Sequence, residues 1–244
     1  MQPLLEVWNL SKQFGGLHAV RNVSFSVREG EVVSIIGPNG AGKTTVFNLI
    51  SGFLQPTAGE VIFRGQVVSR LKPHQRARLG LGRTFQIVRP FSGLTILENV
   101  MVGAFLHTRS PAVAREEAMQ ILRFVGLEHR AHQFPGSLTL AGRKRLEVAR
   151  ALATRPRLIL LDEVVAGLNP TEAEEMIRLL RRLSELGVSA VAGVEHVMRV
   201  VLRLSDRVVV LHHGEKIAEG PPEAVVRDPV VIAAYLGGEV TAGA

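Results

Sequence analysis

The chain contains no cysteine. It therefore has no disulfide, no thiolate nucleophile and no cysteine-ligated zinc or iron–sulfur site. Long apolar runs are also missing, since no stretch approaches the roughly 18 consecutive apolar residues that a membrane-spanning helix needs. Near the start, Glu6 interrupts the apolar residues before a signal peptide could form. We therefore expect neither a membrane span nor an exported protein.

Acidic residues are fewer than basic ones, 22 against 29, and the formal charge is +7. Such an excess can indicate a nucleic-acid or anionic-membrane partner. The densest cationic cluster, Arg143-Lys144-Arg145, directly precedes a helical pattern that includes Glu147, and we interpret it as a solvated helix face. Only one Trp and one Tyr accompany the Phe residues as stacking partners for bases, so we expect no nucleic-acid partner.

The order of secondary-structure signals predicts an α/β fold. Apolar and polar residues alternate through the first thirty residues, as in an antiparallel β layer, and residues 32–36 form a nearly all-apolar strand. Between about Ile87 and Pro156 the pattern becomes helical, with an amphipathic helix over 114–125 that Gly126 ends. Strand signals return at 158–161, 188–194 and 208–211. This alternation with helices predicts a parallel sheet.

One helix of this last part is predicted from Pro170 to Gly187. Ile177, Leu180 and Leu183 share one face of it. Glu174 and Arg178 stand at the favourable i, i+4 spacing, so we expect them to pair.

Residues 37–45, Gly37-Pro38-Asn39-Gly40-Ala41-Gly42-Lys43-Thr44-Thr45, match the pattern G-x-x-x-x-G-K-[ST] between a predicted strand and a predicted helix. Backbone N–H groups of such a loop converge on phosphate oxygens at a positive helix N-terminus. Lys43 adds a cation for the β- and γ-phosphates, and Thr44 offers a hydroxyl to Mg²⁺. The pattern predicts a nucleoside triphosphate site.

A second motif, Asp162-Glu163, ends the apolar strand at 158–161. Asp162 is then expected in the metal shell at the carboxyl end of the sheet. Glu163 could orient or deprotonate the water that attacks the γ-phosphate. The sequence contains no N-K-x-D motif, which argues against a guanine-specific GTPase.

With these motifs in order, the chain resembles the ATP-binding subunits of ABC transporters over nearly its whole length. Within this family it is most similar to the ATPases of branched-chain amino-acid importers, through four further segments: Gly15-Gly16-Leu17, Arg83-Thr84-Phe85-Gln86, Ala166-Gly167-Leu168-Asn169-Pro170-Thr171-Glu172 and Ala234-Tyr235-Leu236-Gly237.

The resemblance implies a single ABC ATPase domain with a P-loop NTPase, RecA-like α/β core, an N-terminal antiparallel β layer and a helical insertion subdomain. Residues 1–86 with 156–236 would form the nucleotide-binding core and the β layer. Residues 87–155 would form the helical signature subdomain, and residues 237–244 a short C-terminal tail.

The resemblance also assigns roles to single residues. Gln86 would be the loop glutamine that reaches the Mg²⁺ or the attacking water, and His196 the switch histidine at the γ-phosphate. Phe14 would stack on adenine, with packing in the core as the alternative. The remaining histidines are interpreted as packed or solvated: His18, His74, His107, His129, His132, His212 and His213.

The family's L-S-G-G-Q signature aligns with residues 138–142, Leu-Thr-Leu-Ala-Gly, and departs from it. Thr139 can replace the serine hydroxyl. Ala141 stands where a glycine amide approaches the γ-phosphate of the facing subunit, where a methyl and an unusual φ would both be unfavourable. A shift of one residue would instead place Gly142 at that approach, and the sequence leaves both registers open.

The mechanism implied is that two cassettes face head to tail with ATP and Mg²⁺ between them, so that binding closes the dimer and hydrolysis opens it. Glu163 would activate water, while Lys43 and His196 stabilise the transferring phosphoryl group. The chain would work at the cytoplasmic face of the membrane with a separate permease, a homo- or heterodimeric second ATPase and, indirectly, a substrate-binding protein. We expect residues 87–91 to line the permease interface.

The sequence is also compatible with two alternatives. One is a nucleotide-binding partner that hydrolyses weakly in an asymmetric dimer, because of the altered signature. The other is an ABC ATPase that acts on the ribosome or on nucleic acid.

Overall fold

The computed structural model describes residues 2–85, 89–193 and 198–236. Its strands are β1 (Leu5–Phe14), β2 (Leu17–Val27), β3 (Val32–Ile36), β4 (Ala58–Phe63), β5 (Gln66–Val67), β6 (Leu81–Arg83), β7 (Leu158–Asp162), β8 (Ser189–Gly193), β9 (Arg207–His212) and β10 (Glu215–Gly220). Its α-helices are α1 (Lys43–Ser51), α2 (Pro73–Leu79), α3 (Ile96–Ala104), α4 (Pro111–Val125), α5 (Leu140–Leu152), α6 (Pro170–Arg181), α7 (Met198–Leu204), α8 (Pro222–Val225) and α9 (Pro229–Leu236). Short 3₁₀ helices cover Glu128–Arg130, Pro135–Ser137 and Arg182–Leu186.

The strands form two sheets. The first is antiparallel, in the order β2-β1-β4-β5, and contains the alternating segment at the start of the chain. The second has the order β10-β9-β3-β8-β7-β6, in which β9 through β6 are parallel and β10 is added antiparallel at the edge. The predicted α/β fold with an antiparallel layer is confirmed.

Strand β7 shows why the parallel sheet is apolar on both faces. Leu158 and Leu160 belong to the core that the antiparallel sheet and α1 share with the parallel sheet. Ile159 and Leu161 belong to the core under α3, α4, α5 and α6. Because successive side chains point to opposite faces, a strand between two layers reads as a continuous apolar run.

The helix predicted to end at Gly187 has two parts. Helix α6 ends at Arg181, a 3₁₀ helix continues to Leu186, and Gly187 closes it with φ 67°. The prediction that Glu174 pairs with Arg178 is wrong, because Glu174 accepts a hydrogen bond from Arg203 of α7 instead. A partner from a neighbouring element has replaced the local one.

Candidate active site

The carboxyl ends of four parallel strands meet at one edge of the sheet. Strand β3 ends at Ile36 and leads into the phosphate loop, and β7 ends at Asp162. Strand β6 ends at Arg83, three residues before Gln86, and β8 ends at Gly193. This edge is where parallel α/β sheets bind ligands.

The phosphate loop lines a cavity of about 480 Å³. The residues around it are Leu17, His18, Ala19, Asn39, Gly40, Ala41, Gly42, Lys43, Thr44, Thr45, Glu163 and His213. Gly42 caps α1 with φ 97°, and a Cβ there would lie 2.5 Å from the carbonyl oxygen of Ala19. Only glycine therefore fits between the loop and β2. Sequence reasoning missed His18 and His213 as cavity residues, because nothing local in the sequence brings them to the loop.

Lys43 is buried, and its ammonium group lies within the loop. Its Nζ donates to the carbonyl oxygens of Gly37 at 2.6 Å and of Pro38 at 2.7 Å. Burial lowers the pKa of Lys43, and the negative charge of Glu163 opposes this change. The two carbonyl groups are neutral acceptors. A phosphate group in the cavity would be an anionic acceptor, and it would form a stronger hydrogen bond with the ammonium group.

Asp162 is also buried, with a side-chain exposure of 7%, and its Oδ2 lies 3.1 Å from Arg83 Nη2. Burial raises its pKa, the charge and hydrogen bond of Arg83 lower it, and the charge of Glu163 raises it again. A second cavity of about 480 Å³ is lined by Thr44, Arg83, Phe85, Arg89, Glu147, Arg150 and Asp162. Thr44 therefore borders both cavities, and Asp162 faces the same space as Thr44.

Arg83 is a residue whose place in the site sequence reasoning did not find. Its guanidinium donates to Asn48 Oδ1 and Ser51 Oγ, both at 2.7 Å, as well as to Asp162. It also lies 5.3 and 5.4 Å from the ring centroids of Phe53 and Phe85. These contacts fix the carboxylate of Asp162 relative to α1, the helix that follows the phosphate loop.

Glu163 has φ 48°, in the left-handed region that residues with a Cβ rarely adopt. Glu163 lines the phosphate-loop cavity, and its carbonyl oxygen accepts a hydrogen bond from Lys144 Nζ at 2.5 Å. Lys144 is only 6% exposed, so the predicted solvated face of Arg143-Lys144-Arg145 is wrong at its middle residue. Lys144 is buried because α5 turns it toward the end of β7, a contact that no local pattern shows.

Phe14, the predicted adenine-stacking residue, is 45% exposed at the end of β1. The alternative that it packs in the core is therefore wrong. The ammonium group of Lys12 lies 5.1 Å from the centroid of the Phe14 ring.

The signature residues lie at the start of α5. Thr139 caps this helix, and its Oγ1 accepts a hydrogen bond from the Gly142 amide at 3.3 Å. Ala141 is 9% exposed, and its φ is not positive, so the expected backbone strain is absent. Thr139, Ala141 and Gly142 border a different cavity of about 250 Å³, and none of them lines the phosphate-loop cavity of their own chain.

Gln86 and His196 lie outside the described residues, as do residues 87 and 88. Within the described ranges, no group of three or more His, Asp or Glu side chains is arranged to hold a metal ion. The same ranges contain no helix that is long and apolar enough to cross a membrane.

The fold and this site define an ATPase of the P-loop class. A family model described as "ABC transporter" matches residues 20–166, and the chain belongs to that family. It is an ABC ATP-binding cassette, whose ATPase activity is coupled to transport. A second model, described as "Branched-chain amino acid ATP-binding cassette transporter", matches residues 215–241.

Individual relatives extend over the whole chain. The high-affinity branched-chain amino acid transport ATP-binding protein BraF of Pseudomonas aeruginosa is 42% identical, with 97% of this chain and 98% of BraF covered. The corresponding protein LivG of Escherichia coli K12 gives the same three values. Among solved structures, the ADP conformation of MJ1267, an ATP-binding cassette of an ABC transporter, has a TM-score of 0.88 at 33% identity and covers 97% of this chain and 100% of its own.

Proposed function

We propose that the chain powers the uptake of branched-chain amino acids through a separate membrane permease. The observation that carries this proposal is the likeness to BraF and LivG over 97% of the chain, including the C-terminal segment 215–241 that the branched-chain family model matches. The cassette supplies ATP hydrolysis, and the permease supplies the path across the membrane. The chain is then peripheral, at the cytoplasmic face.

In this proposal the phosphate loop and Lys43 bind the triphosphate. The loop residues 39–42 and the start of α1 line the cavity, and Lys43 would exchange the carbonyl oxygens of Gly37 and Pro38 for phosphate oxygens. Glu163 takes the proton from the attacking water, and Lys43 stabilises the charge that builds on the γ-phosphoryl group. Gln86 and His196 take the roles that the resemblance implies.

The residues present fit Mg²⁺ bound together with ATP. Mg²⁺ is usually held by one or two carboxylates together with phosphate oxygens and water, and it does not need a closed protein cage. Thr44, with its hydroxyl group, and Asp162, with its carboxylate, border one cavity. These two oxygen donors match the usual coordination of Mg²⁺ in proteins. The ion would neutralise charge on the β- and γ-phosphates. Arg83 keeps Asp162 oriented toward this space.

The signature segment supports a dimer in which each ATP contacts both chains. Helix α5 begins at Leu140, and the amide of Arg143 donates to the carbonyl oxygen of Thr139 at 2.9 Å. The amides of Leu140 and Ala141 belong to the first turn, where amides have no acceptor within the helix. The Gly142 amide is already bonded to Thr139. This arrangement favours the register with Ala141 at the γ-phosphate of the facing chain. Phe14 is exposed and pairs with Leu17, a residue of β2 that lines the phosphate-loop cavity. Its ring would stack on adenine.

A partner subunit that hydrolyses weakly is the second candidate, and one observation favours it. Gly142 has no side chain at the position where the resembled signature has glutamine. Restoring this side chain with Gly142→Gln decides between the two functions. Under the first proposal the ATPase rate changes by less than about threefold, whereas a slow enzyme limited at this position would gain about tenfold or more.

Uptake by the complete transporter tests the proposed substrate. The tagged chain is purified with its permease subunits, reconstituted into vesicles and supplied with radioactive leucine, a substrate-binding protein and ATP. We expect ATP-dependent uptake that unlabelled isoleucine and valine inhibit and lysine does not. Loss of uptake in Glu163→Gln assemblies with unchanged subunit composition supports coupling. No ATP-dependent uptake of leucine, or uptake that an excess of unlabelled isoleucine and valine does not inhibit, would contradict the proposed substrate.

A further inference from the structure

The contact between Lys144 and Glu163 joins two parts of the proposed site. Lys144 belongs to α5, which begins with the signature residues, and its Nζ donates to the backbone carbonyl oxygen of Glu163 at 2.5 Å. Glu163 directly follows β7 and lines the phosphate-loop cavity. This hydrogen bond therefore connects α5, which the proposed dimer places against the partner's nucleotide, to the backbone of Glu163, whose carboxylate is proposed to act on the chain's own nucleotide.

The backbone of Glu163 needs support at this point. Its φ of 48° is disfavoured for a residue with a Cβ, and such conformations persist only where surrounding contacts impose them. The carbonyl oxygen of Glu163 accepts from Lys144 and also from the amide of Ala166 at 3.3 Å. Because the φ angle sets the direction of the side chain, holding this carbonyl group also aims the carboxylate.

Lys144 is only 6% exposed, so its ammonium group gives up most of its contact with water. Hydrogen bonds must replace that hydration, and the carbonyl oxygen of Glu163 supplies one of them. A buried charged donor of this kind holds its acceptor in a defined geometry.

We infer that Lys144 is a positioning residue, which holds the left-handed turn at Glu163 and ties the direction of that carboxylate to the position of α5. The inference rests on the proposed roles of Glu163 and of the signature segment. Movement of α5 during dimer closure would then move Glu163 relative to the phosphate loop. The two ATP sites of a dimer would be linked through this contact.

The test compares Lys144→Met with Arg143→Met. Both variants exchange a cation for the same apolar side chain at adjacent positions of α5, but Arg143 is exposed. We expect Lys144→Met to lower kcat of ATP hydrolysis by about tenfold or more, since small misplacements of a catalytic group are that costly. KM and the number of ATP molecules bound per chain stay unchanged. Arg143→Met keeps the wild-type kcat, and Lys144→Arg, which retains a cationic donor, recovers most of the rate.

A double-mutant cycle adds a readout that a structural role would not change. In a Glu163→Gln background, Lys144→Met should cause no further loss of kcat, because the carboxylate that it aims is absent. An unchanged kcat with a lower Tm would overturn the inference, as would equal losses in kcat and in the bound ATP per chain. If Lys144→Met does not fold, Lys144→Gln replaces it with the same expectation, and failure of both to fold would also overturn the positioning role.

The proposed function fails separately. A wild-type rate in Glu163→Gln would contradict the role of Glu163 itself. A large loss in Glu163→Gln with a normal rate in Lys144→Met would contradict only the inference about Lys144.

Discussion

At the first glycine of the phosphate loop, the backbone leaves no room for a side chain. A Cβ on Gly37 would lie 2.0 Å from the carbonyl oxygen of Leu211, in the neighbouring strand β9. The same loop carbonyl of Gly37 accepts the hydrogen bond from Lys43. The start of the loop and the position of its lysine therefore depend on the distance between β3 and β9.

Gly37→Ala should consequently damage both stability and binding. We expect a loss of about 1–3 kcal/mol in the free energy of unfolding, as is usual for overpacking. ATP affinity should fall by about tenfold, because the carbonyl that holds Lys43 must move. Urea denaturation and equilibrium dialysis with ATP measure the two effects. Gly16→Ala is the control, since a Cβ at Gly16 would meet open space; equal behaviour of the two variants would contradict this account.

The chemistry of single residues was predictable only where the sequence itself places them together. The phosphate loop and the Asp162-Glu163 pair are contiguous motifs at strand ends, and the structure brings both to one sheet edge. Arg83 reaches the carboxylate of Asp162, and Lys144 reaches the backbone carbonyl oxygen of Glu163, from positions 79 and 19 residues away in the sequence. Since such contacts depend on how elements pack, the pattern of charges around Lys144 suggested a solvated face instead.

Among the elements, β3 is held at its start by a charged cluster. Glu31, directly before this strand, accepts from Arg207 of β9 at 2.8 Å, and Arg207 also donates to the carbonyl oxygen of Ser26 at 2.5 Å. Burial would raise the pKa of Glu31, but the hydrogen bond and charge of Arg207 and the Arg28 amide outweigh it, so the pKa is lowered. The cluster thus fixes the strand that carries the phosphate loop against β9.

This lowered pKa predicts a pH dependence. A carboxyl group with a lowered pKa in the folded state contributes stability above its ordinary value of 4.5, and the contribution disappears as the pH falls through the folded-state pKa. Glu31→Gln should therefore cost about 1.5–3 kcal/mol near pH 7. The difference from wild type should shrink below pH 4.5 and vanish in stronger acid. Urea denaturation over this range measures it, with the exposed neighbour Glu29→Gln as control; a difference that is independent of pH would contradict the assignment.

Element order was predictable from the sequence to a larger extent than element contacts. Periodicity predicted the antiparallel start, the apolar strands and the helix before Gly126, which the structure extends back to Pro111. The last turn before Gly187 is a 3₁₀ helix, which periodicity did not distinguish from α-helix. Tyr235 of α9 forms a hydrogen bond with the backbone of Gly37. Burial raises the pKa of Tyr235, and this hydrogen bond lowers it by a smaller amount. This contact brings the C-terminal helix to the phosphate loop, and no short-range pattern predicts it.

At the scale of the whole molecule, residues 87–91 are expected to line the interface with the permease, and Phe91 allows this prediction to be tested. Phe91 is 46% exposed, while its backbone amide and carbonyl group are both bonded to the side chain of Asn99. The guanidinium carbon of Arg150 lies 5.0 Å from the ring centroid. A side chain that is exposed on an anchored backbone suits a docking surface.

Phe91→Asp should uncouple the cassette from its permease. An unpaired carboxylate buried in an apolar contact would weaken binding of the permease by more than roughly 1.4 kcal/mol, which corresponds to a tenfold change in affinity. Stimulation of the ATPase by the permease should therefore fall by about tenfold or more. Basal hydrolysis should stay within about twofold of wild type. Trp8→Asp, which changes an exposed aromatic residue of the antiparallel sheet, is the control. Loss of basal activity together with the stimulation would count against this interface.

The division into a core formed by residues 1–86 and 156–236 and a helical signature subdomain of 87–155 remains a prediction. Dimerisation and the choice between a homodimer and a heterodimer also remain predictions, because they depend on chains other than this one. The family and the fold were predictable because the phosphate loop, Asp162-Glu163 and the signature segment occur in a fixed order along a chain of one domain's length.

The role of Glu163 in activating the attacking water is tested most directly by phosphate release from Mg²⁺-ATP, measured with the purified wild-type chain and with Glu163→Gln. Wild type should turn over repeatedly, while Glu163→Gln binds ATP with similar affinity and releases phosphate on the order of 10² to 10⁴ times more slowly. Equal rates for the two proteins, each with ATP bound, would show that the water is activated elsewhere and would contradict the site described around the phosphate loop.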